Sequence, residues 1–126
     1  MSGERQRVTG IGGLFFRARN PELLRRWYEE YLGVIGPPGN HVDLPWMQQA
    51  GPTVFSPFNE DTEYFGRPEQ QWMVNFRVDD LDAFVAQLRS EDVEVEVDPD
   101  EHPYGRFARL RDPEGNPVEL WEPAGL

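Results

Sequence analysis

Apolar Trp72, Val74, Phe76 and Val78 alternate with Met73, Asn75 and Arg77. A period of two predicts a strand. The pattern then changes period. Leu81, Phe84, Val85 and Leu88 fall at i, i+3, i+4 and i+7, which predicts a helix capped by Asp79 or Asp80. The same sequence of events occurs earlier in the chain. Ile11–Ala18 reads as a strand, with Gly12 and Gly13 allowing close backbone approach. Asn20 is a good N-cap, and Pro21 suits the first helical position, where its missing N–H is not needed. Leu23, Leu24, Trp27, Tyr28, Tyr31 and Leu32 share one helical face, and Gly33 is a natural stop. Trp27, Leu24, Phe84 and Leu88 are therefore expected between helix and sheet.

Shorter strands are expected at Val42–Met47 and Thr53–Phe58, and again at Val93–Val97, Arg106–Arg111 and Pro117–Trp121. Asp112-Pro113-Glu114-Gly115-Asn116 is a hairpin signal, because Pro presets the turn and Gly supplies a positive φ. Phe16-Arg17-Ala18 and Phe76-Arg77-Val78 each run into a helix, at an offset of about 60 residues. The repeat predicts two βαβββ modules in a single domain over 1–126. The first covers 8–58, the second 72–123, and the polar stretch 59–71 links them.

Charge narrows the range of partners. The 126 residues carry 12 basic and 23 acidic side chains, a net −11, and every basic residue is Arg. Such a field repels phosphate backbones, so no nucleic-acid partner is expected. Without Lys there is no Schiff-base or P-loop lysine chemistry. Without Cys there is no disulfide, thiolate metal site or cysteine nucleophile. No apolar run reaches the roughly 20 residues that span a bilayer, and no signal-like segment opens the sequence, so no membrane partner and a cytoplasmic location are expected. Neither a G-x-S-x-G elbow nor a dinucleotide-type Gly-rich loop occurs. His41 and His102 fall in loop segments and read as solvated rather than metal-bound.

The chain resembles the vicinal oxygen chelate superfamily, which includes glyoxalase I, bleomycin-resistance proteins, extradiol dioxygenases and fosfomycin-resistance enzymes. The resemblance rests on Ala18-Arg19-Asn20-Pro21, Trp27-Tyr28 and Leu32-Gly33 in the first module. In the second it rests on Phe76–Leu81 and, above all, on Asp112-Pro113-Glu114-Gly115-Asn116-Pro117-Val118-Glu119-Leu120-Trp121. It covers roughly residues 8–123. It implies an α+β fold in which two βαβββ modules form an open, incomplete mixed β-barrel around a concave cavity. Catalytic members hold a divalent metal there with His or Glu from the first and last strands of each module. At the matching positions this sequence has Gly13, then Thr53–Pro57, then Met73; only Glu119 matches. A catalytic metal normally needs three protein ligands, so no metal cofactor is expected.

The resemblance also implies which side chains face the cavity. Met73, Asn75 and Arg77 alternate toward it, with Phe15 and Arg17 as their counterparts by the repeat. Glu119 and Trp121 share a face of the final strand. Phe55 and Phe107 belong to an aromatic excess in the later strands and loops that fits core or a small-molecule pocket. Glu119 reads as an exposed strand residue, as a carboxylate tied to an Arg, or as a ligand-orienting group or general base. Arg17 and Arg77 read as ion-paired at strand ends, or as a pair that binds an anion. The expected function is binding of a small organic ligand without a catalytic metal. The alternative is a metal-dependent glyoxalase-like lyase or dioxygenase that keeps Glu119 as ligand or base. Open sheet edges predict a homodimer, with Tyr64-Phe65 contributing to the interface and salt strengthening association.

Overall fold

A computed structural model describes residues 5–35 and 46–125. The first regular element is α1, Pro21–Trp27. The Asn20 side chain accepts the Leu23 N–H at 3.2 Å, and Pro21 opens the helix as expected. The helix runs on into a π-helical turn at Tyr28–Leu32, which Gly33 ends at φ 72°. The expectation of one uniform helical stripe is corrected here. A π turn carries one residue more per hydrogen-bonded ring than an α turn and rotates the face. Leu24 and Tyr28 are buried, Trp27, Tyr31 and Leu32 pack partly against the core, and Leu23 is exposed.

The second half builds the sheet. β1 is Val74–Arg77, α2 is Leu81–Ser90, and β2, β3 and β4 are Glu96–Val97, Gly105–Arg111 and Pro117–Pro123. This is the expected βαβββ order. The four strands lie in the order β1-β4-β3-β2. β1 pairs with β4 in parallel, and the other pairs are antiparallel. A parallel pair needs a crossover, and α2 supplies it. The Asp80 side chain accepts the Ala83 N–H at 3.0 Å, and the Glu122 carboxylate accepts the Leu81 N–H at 2.8 Å. Both helix-start donors therefore have partners.

Strand alternation sorts the two faces of the sheet. Val118 and Leu120 of β4, with Ala108 and Leu110 of β3, point to the helices and join Leu81, Val85 and Leu88 of α2 in the core. Leu88 is buried and Phe84 only partly so. The opposite, concave face carries Glu119, Trp121, Phe107 and Arg109.

The Asp112–Asn116 turn does more than close the β3–β4 hairpin. Gly115 adopts φ 82° and donates to the Asp112 carbonyl at 2.9 Å. The buried Asp112 carboxylate accepts the Tyr28 hydroxyl at 2.7 Å, the Glu114 and Asn116 N–H groups at 2.8 and 3.0 Å, and the Asn116 amide at 2.8 Å. Glu114 accepts the Arg19 and Asn20 N–H groups at 2.7 and 2.9 Å. Those bonds, Asn20 first, hold its carboxyl below the usual carboxylate range. One turn thus ties the first-half helix to the second-half sheet.

The strands expected in the first half are corrected. Among the described residues, neither 11–18 nor 46–58 forms one; 42–45, and with them most of Val42–Met47, lie outside the described residues, as does His41. A strand exists only where its backbone is paired. Among the described residues, the outer edge of β1 stays unpaired. Phe16, Trp46 and Phe58 pack on Trp72, Phe76 and Tyr64, but Phe15 at 95% and Phe55 at 86% exposure face outward. What the described residues define is an α+β fold with an open, mixed four-stranded sheet that does not close into a barrel.

Candidate functional site

Two rows of side chains cross the concave face. Asn75 of β1 lies opposite Glu119 of β4, which lies opposite Arg109 of β3. In the next row Arg77, Trp121 and Phe107 are neighbours in the same way. Cross-strand partners share a face, so register alone brings these six together.

Glu119 is the buried carboxylate of this face, at 6% exposure. One of its oxygens accepts the Asn75 amide at 2.8 Å, and the other accepts the Tyr64 hydroxyl. Arg109 does not bridge to Glu119. Its guanidinium donates to the Tyr64 carbonyl at 2.5 Å, lies 4.5 Å from the centre of the Tyr64 ring and reaches the Met73 sulfur at 3.6 Å. Phe58 also stacks against the Tyr64 ring, with centres 5.7 Å apart. The expectations of an exposed strand residue or an Arg-paired carboxylate are corrected: Glu119 is buried and its partners are Asn75 and Tyr64. Burial, and then the hydrogen bond to the Glu119 carboxylate, push the Tyr64 hydroxyl up to about 12.

This has a testable consequence. The bond between Tyr64 and Glu119 needs the phenol proton. Its stabilising contribution is complete below the ordinary tyrosine pKa, about 10, and is lost as pH rises through about 12. The ultraviolet phenolate titration of wild type minus Tyr64→Phe should show a midpoint near 12. A difference midpoint at the ordinary tyrosine value would mean that Tyr64 does not rest on Glu119.

A second aromatic group borders the first. Phe107 and Trp121 lie with ring planes 4° apart and centres at 6.3 Å. His102 stacks on Tyr104 at 5.5 Å and bonds Asp98 at 3.0 Å, although a solvated loop was expected for it. That bond to His102, and then the Asp100 N–H, lower the Asp98 carboxyl pKa. The Trp121 indole N–H donates to the Tyr104 carbonyl at 2.9 Å, which fixes the ring.

An open trough of about 2390 Å³ runs over this face and around the β1 edge. Phe15, Phe55, Met73, Asn75, Arg77, Phe107, Glu119 and Trp121 all border it. Arg17 does not; it lies in a shallow depression with Arg19, Arg67 and Glu114. Arg77 donates to the Gln49 carbonyl at 3.0 Å rather than to a carboxylate. Arg17 and Arg77 therefore line separate depressions and do not form an anion pair. Sequence reasoning missed Arg109 and the role of Tyr64. Arg109 was within reach, since alternation from Phe107 puts it on the same face. Tyr64 carries no periodic signal, because it sits in a run of tight turns between residues 59 and 70.

Among the described residues, the donor set around Glu119 does not fit a divalent metal. Both Glu119 oxygens already accept hydrogen bonds, a guanidinium lies nearby, and Gly13 and Met73 stand at the expected histidine positions. Among the described residues no three His, Cys, Asp or Glu side chains come together as a metal-holding group.

The family model of the Glyoxalase/Bleomycin resistance protein/Dioxygenase superfamily matches residues 10–120, and the chain belongs to that superfamily. Among solved structures it is similar to TnmS3, an antibiotic binding protein from Streptomyces sp. CB03234. The TM-score is 0.61 at 24% identity, over 95% of this chain and 100% of that one. A glyoxylase/bleomycin resistance protein/dioxygenase domain from Frankia sp. EAN1pec aligns with TM-score 0.55 at 18% identity, over 94% and 100%. Both show a common fold. A glyoxalase family protein from Bacillus anthracis is 27% identical with TM-score 0.39, and the match spans 44% of either chain. No protein of curated function matches significantly. Among the described residues no helix is long and apolar enough to cross a membrane.

Proposed function

We infer that the protein is a cytoplasmic binding protein that encloses a small organic ligand in the trough, without a catalytic metal. The observation that carries this reading is the concave face itself. Among the described residues, a wide aromatic-bordered trough contains one buried carboxylate, and internal donors occupy both of its oxygens. Apolar walls with few, well-placed polar groups suit an organic ligand. Antibiotic binding by TnmS3 is one use of the same fold.

The test is elemental analysis of the purified protein, combined with a calorimetric survey of small cyclic organic compounds. The expected result is substoichiometric metal and saturable binding of at least one compound class. About one divalent metal per chain, lost in Glu119→Gln, would replace this reading with the metal-enzyme one, since that carboxylate would then be one of the usual three ligands.

The working unit in this reading is a homodimer. The β1 edge, unpaired among the described residues, and the exposed Ile11, Phe15, Val54 and Phe55 supply an apolar surface for a second copy. Segments 11–18 and 53–58 would then form strands by pairing with the partner. Each copy carries −11, so association should tighten as salt screens the repulsion. Sedimentation at two ionic strengths checks this, and a monomer at every concentration in high salt would refute it.

A further inference from the structure

Tyr64 sits as a ligand would. Its ring packs against the Phe58 ring and against the Arg109 guanidinium, and its hydroxyl donates to a carboxylate buried in the sheet. Each of these contacts recognises a feature of a neutral phenol. Stacking and cation–π contact select an aromatic ring, and a buried acceptor selects a hydroxyl that still carries its proton. Asn75 fills the other carboxylate oxygen at 2.8 Å, so Glu119 is held in place without Tyr64.

Tyr64 is nonetheless weakly enclosed. It is 39% exposed and belongs to a short run of turns rather than to the sheet. The Arg109 bond to its carbonyl anchors the backbone, so rotation about χ1 alone removes the ring and leaves the turn in place. The ring would vacate a slot that opens on the trough, which Tyr64, Glu119 and Asn75 all border.

We propose that the Phe58–Arg109–Glu119 slot is a binding site for the phenolic hydroxyl and ring of an organic ligand, and that Tyr64 fills it as a built-in stand-in which the ligand displaces. The proposal rests on the ligand-binding reading above and adds the chemical class of the ligand. Affinity of the intact protein is then reduced by competition from its own side chain, since only the fraction of molecules with Tyr64 swung out can bind.

The probe is p-cresol, which is the tyrosine side chain as a free molecule; toluene is the same molecule without the hydroxyl. Both are titrated calorimetrically into the full chain. Tyr64→Ala should bind p-cresol saturably and at least about tenfold more tightly than wild type does. It should prefer p-cresol over toluene by about tenfold or more, the effect of one hydrogen bond to a charged acceptor. Adding Glu119→Gln should remove most of that preference. In the wild-type protein, p-cresol should shift the Tyr64 ring resonances toward those of free tyrosine, and toluene should not. This second measurement decides the matter if Tyr64→Ala does not fold. A folded Tyr64→Ala that binds toluene as well as p-cresol, or binds neither, overturns the phenol site, as do unmoved Tyr64 resonances at saturating p-cresol. None of those results removes the broader reading, which depends on the metal analysis and the compound survey.

Discussion

Asp112→Ala should destabilise the protein by about 3–5 kcal/mol, a large share of the stability of an ordinary domain. The carboxylate is buried and accepts the Tyr28 hydroxyl, two backbone N–H groups and the Asn116 amide. Alanine removes the acceptor and leaves these donors without partners. Each donor left buried and unpaired costs about 1–3 kcal/mol, reduced where water can enter. Tyr28→Phe removes one donor and leaves the carboxylate its other partners, so its cost should stay near 0.5–1.5 kcal/mol, about that of one ordinary hydrogen bond. Burial and the same carboxylate raise the Tyr28 hydroxyl far above its ordinary pKa. This bond therefore survives into strongly alkaline solution and is lost only beyond it. Urea unfolding followed by circular dichroism measures both variants. An Asp112→Ala protein within about 1 kcal/mol of wild type would mean that the turn is not the joint between the halves.

The second large effect is expected at Gly105, where β3 begins. Its φ is +139°, a conformation that side-chain-bearing residues rarely adopt. A Cβ there would lie 2.3 Å from the Glu122 carbonyl and 2.7 Å from the Trp121 indole nitrogen. The carbonyl belongs to the paired β4 backbone and cannot yield without breaking the ladder. Strain and overlap together should cost Gly105→Ala about 2–4 kcal/mol. The damage should also reach the trough, because the indole that must move is the one held by the Tyr104 carbonyl. Unfolding midpoints report the first effect, and the tryptophan emission maximum of the folded protein reports the second. An unchanged midpoint would show that the strand end relaxes at no cost.

The second half of the chain was largely legible because its signals are local and agree with one another. Alternation over Trp72–Val78 gave β1, the Leu81, Val85 and Leu88 spacing gave α2, and the Pro-Gly turn gave the β3–β4 hairpin. The first half carries similar local signals, yet among the described residues 11–18 and 53–58 form no strand. A strand depends on what lies beside it, and no periodicity in one chain can supply that neighbour. The site divides along the same line. Asn75, Glu119, Arg77 and Trp121 follow from strand register, which alternation reveals. The contact between Tyr64 and Glu119 joins residues 55 apart in sequence through an irregular segment, and no pattern encodes it. The Asp112–Asn116 turn was recognised as a hairpin, but its bonds to Tyr28, Arg19 and Asn20 are long-range and equally invisible.

The π turn at Tyr28–Leu32 bears on how this chain is compared with others. It holds one residue more than the α-helical turn that would cover the same rise. A homologue whose helix is α throughout reaches its Gly33 equivalent one residue sooner. The gap in any alignment with such a homologue belongs inside the helix, after Tyr28, and not in the loop that follows. Placed before Tyr28 instead, the gap would set Glu29 against the residue that meets the Asp112 equivalent, and a shared tether would be scored as a difference.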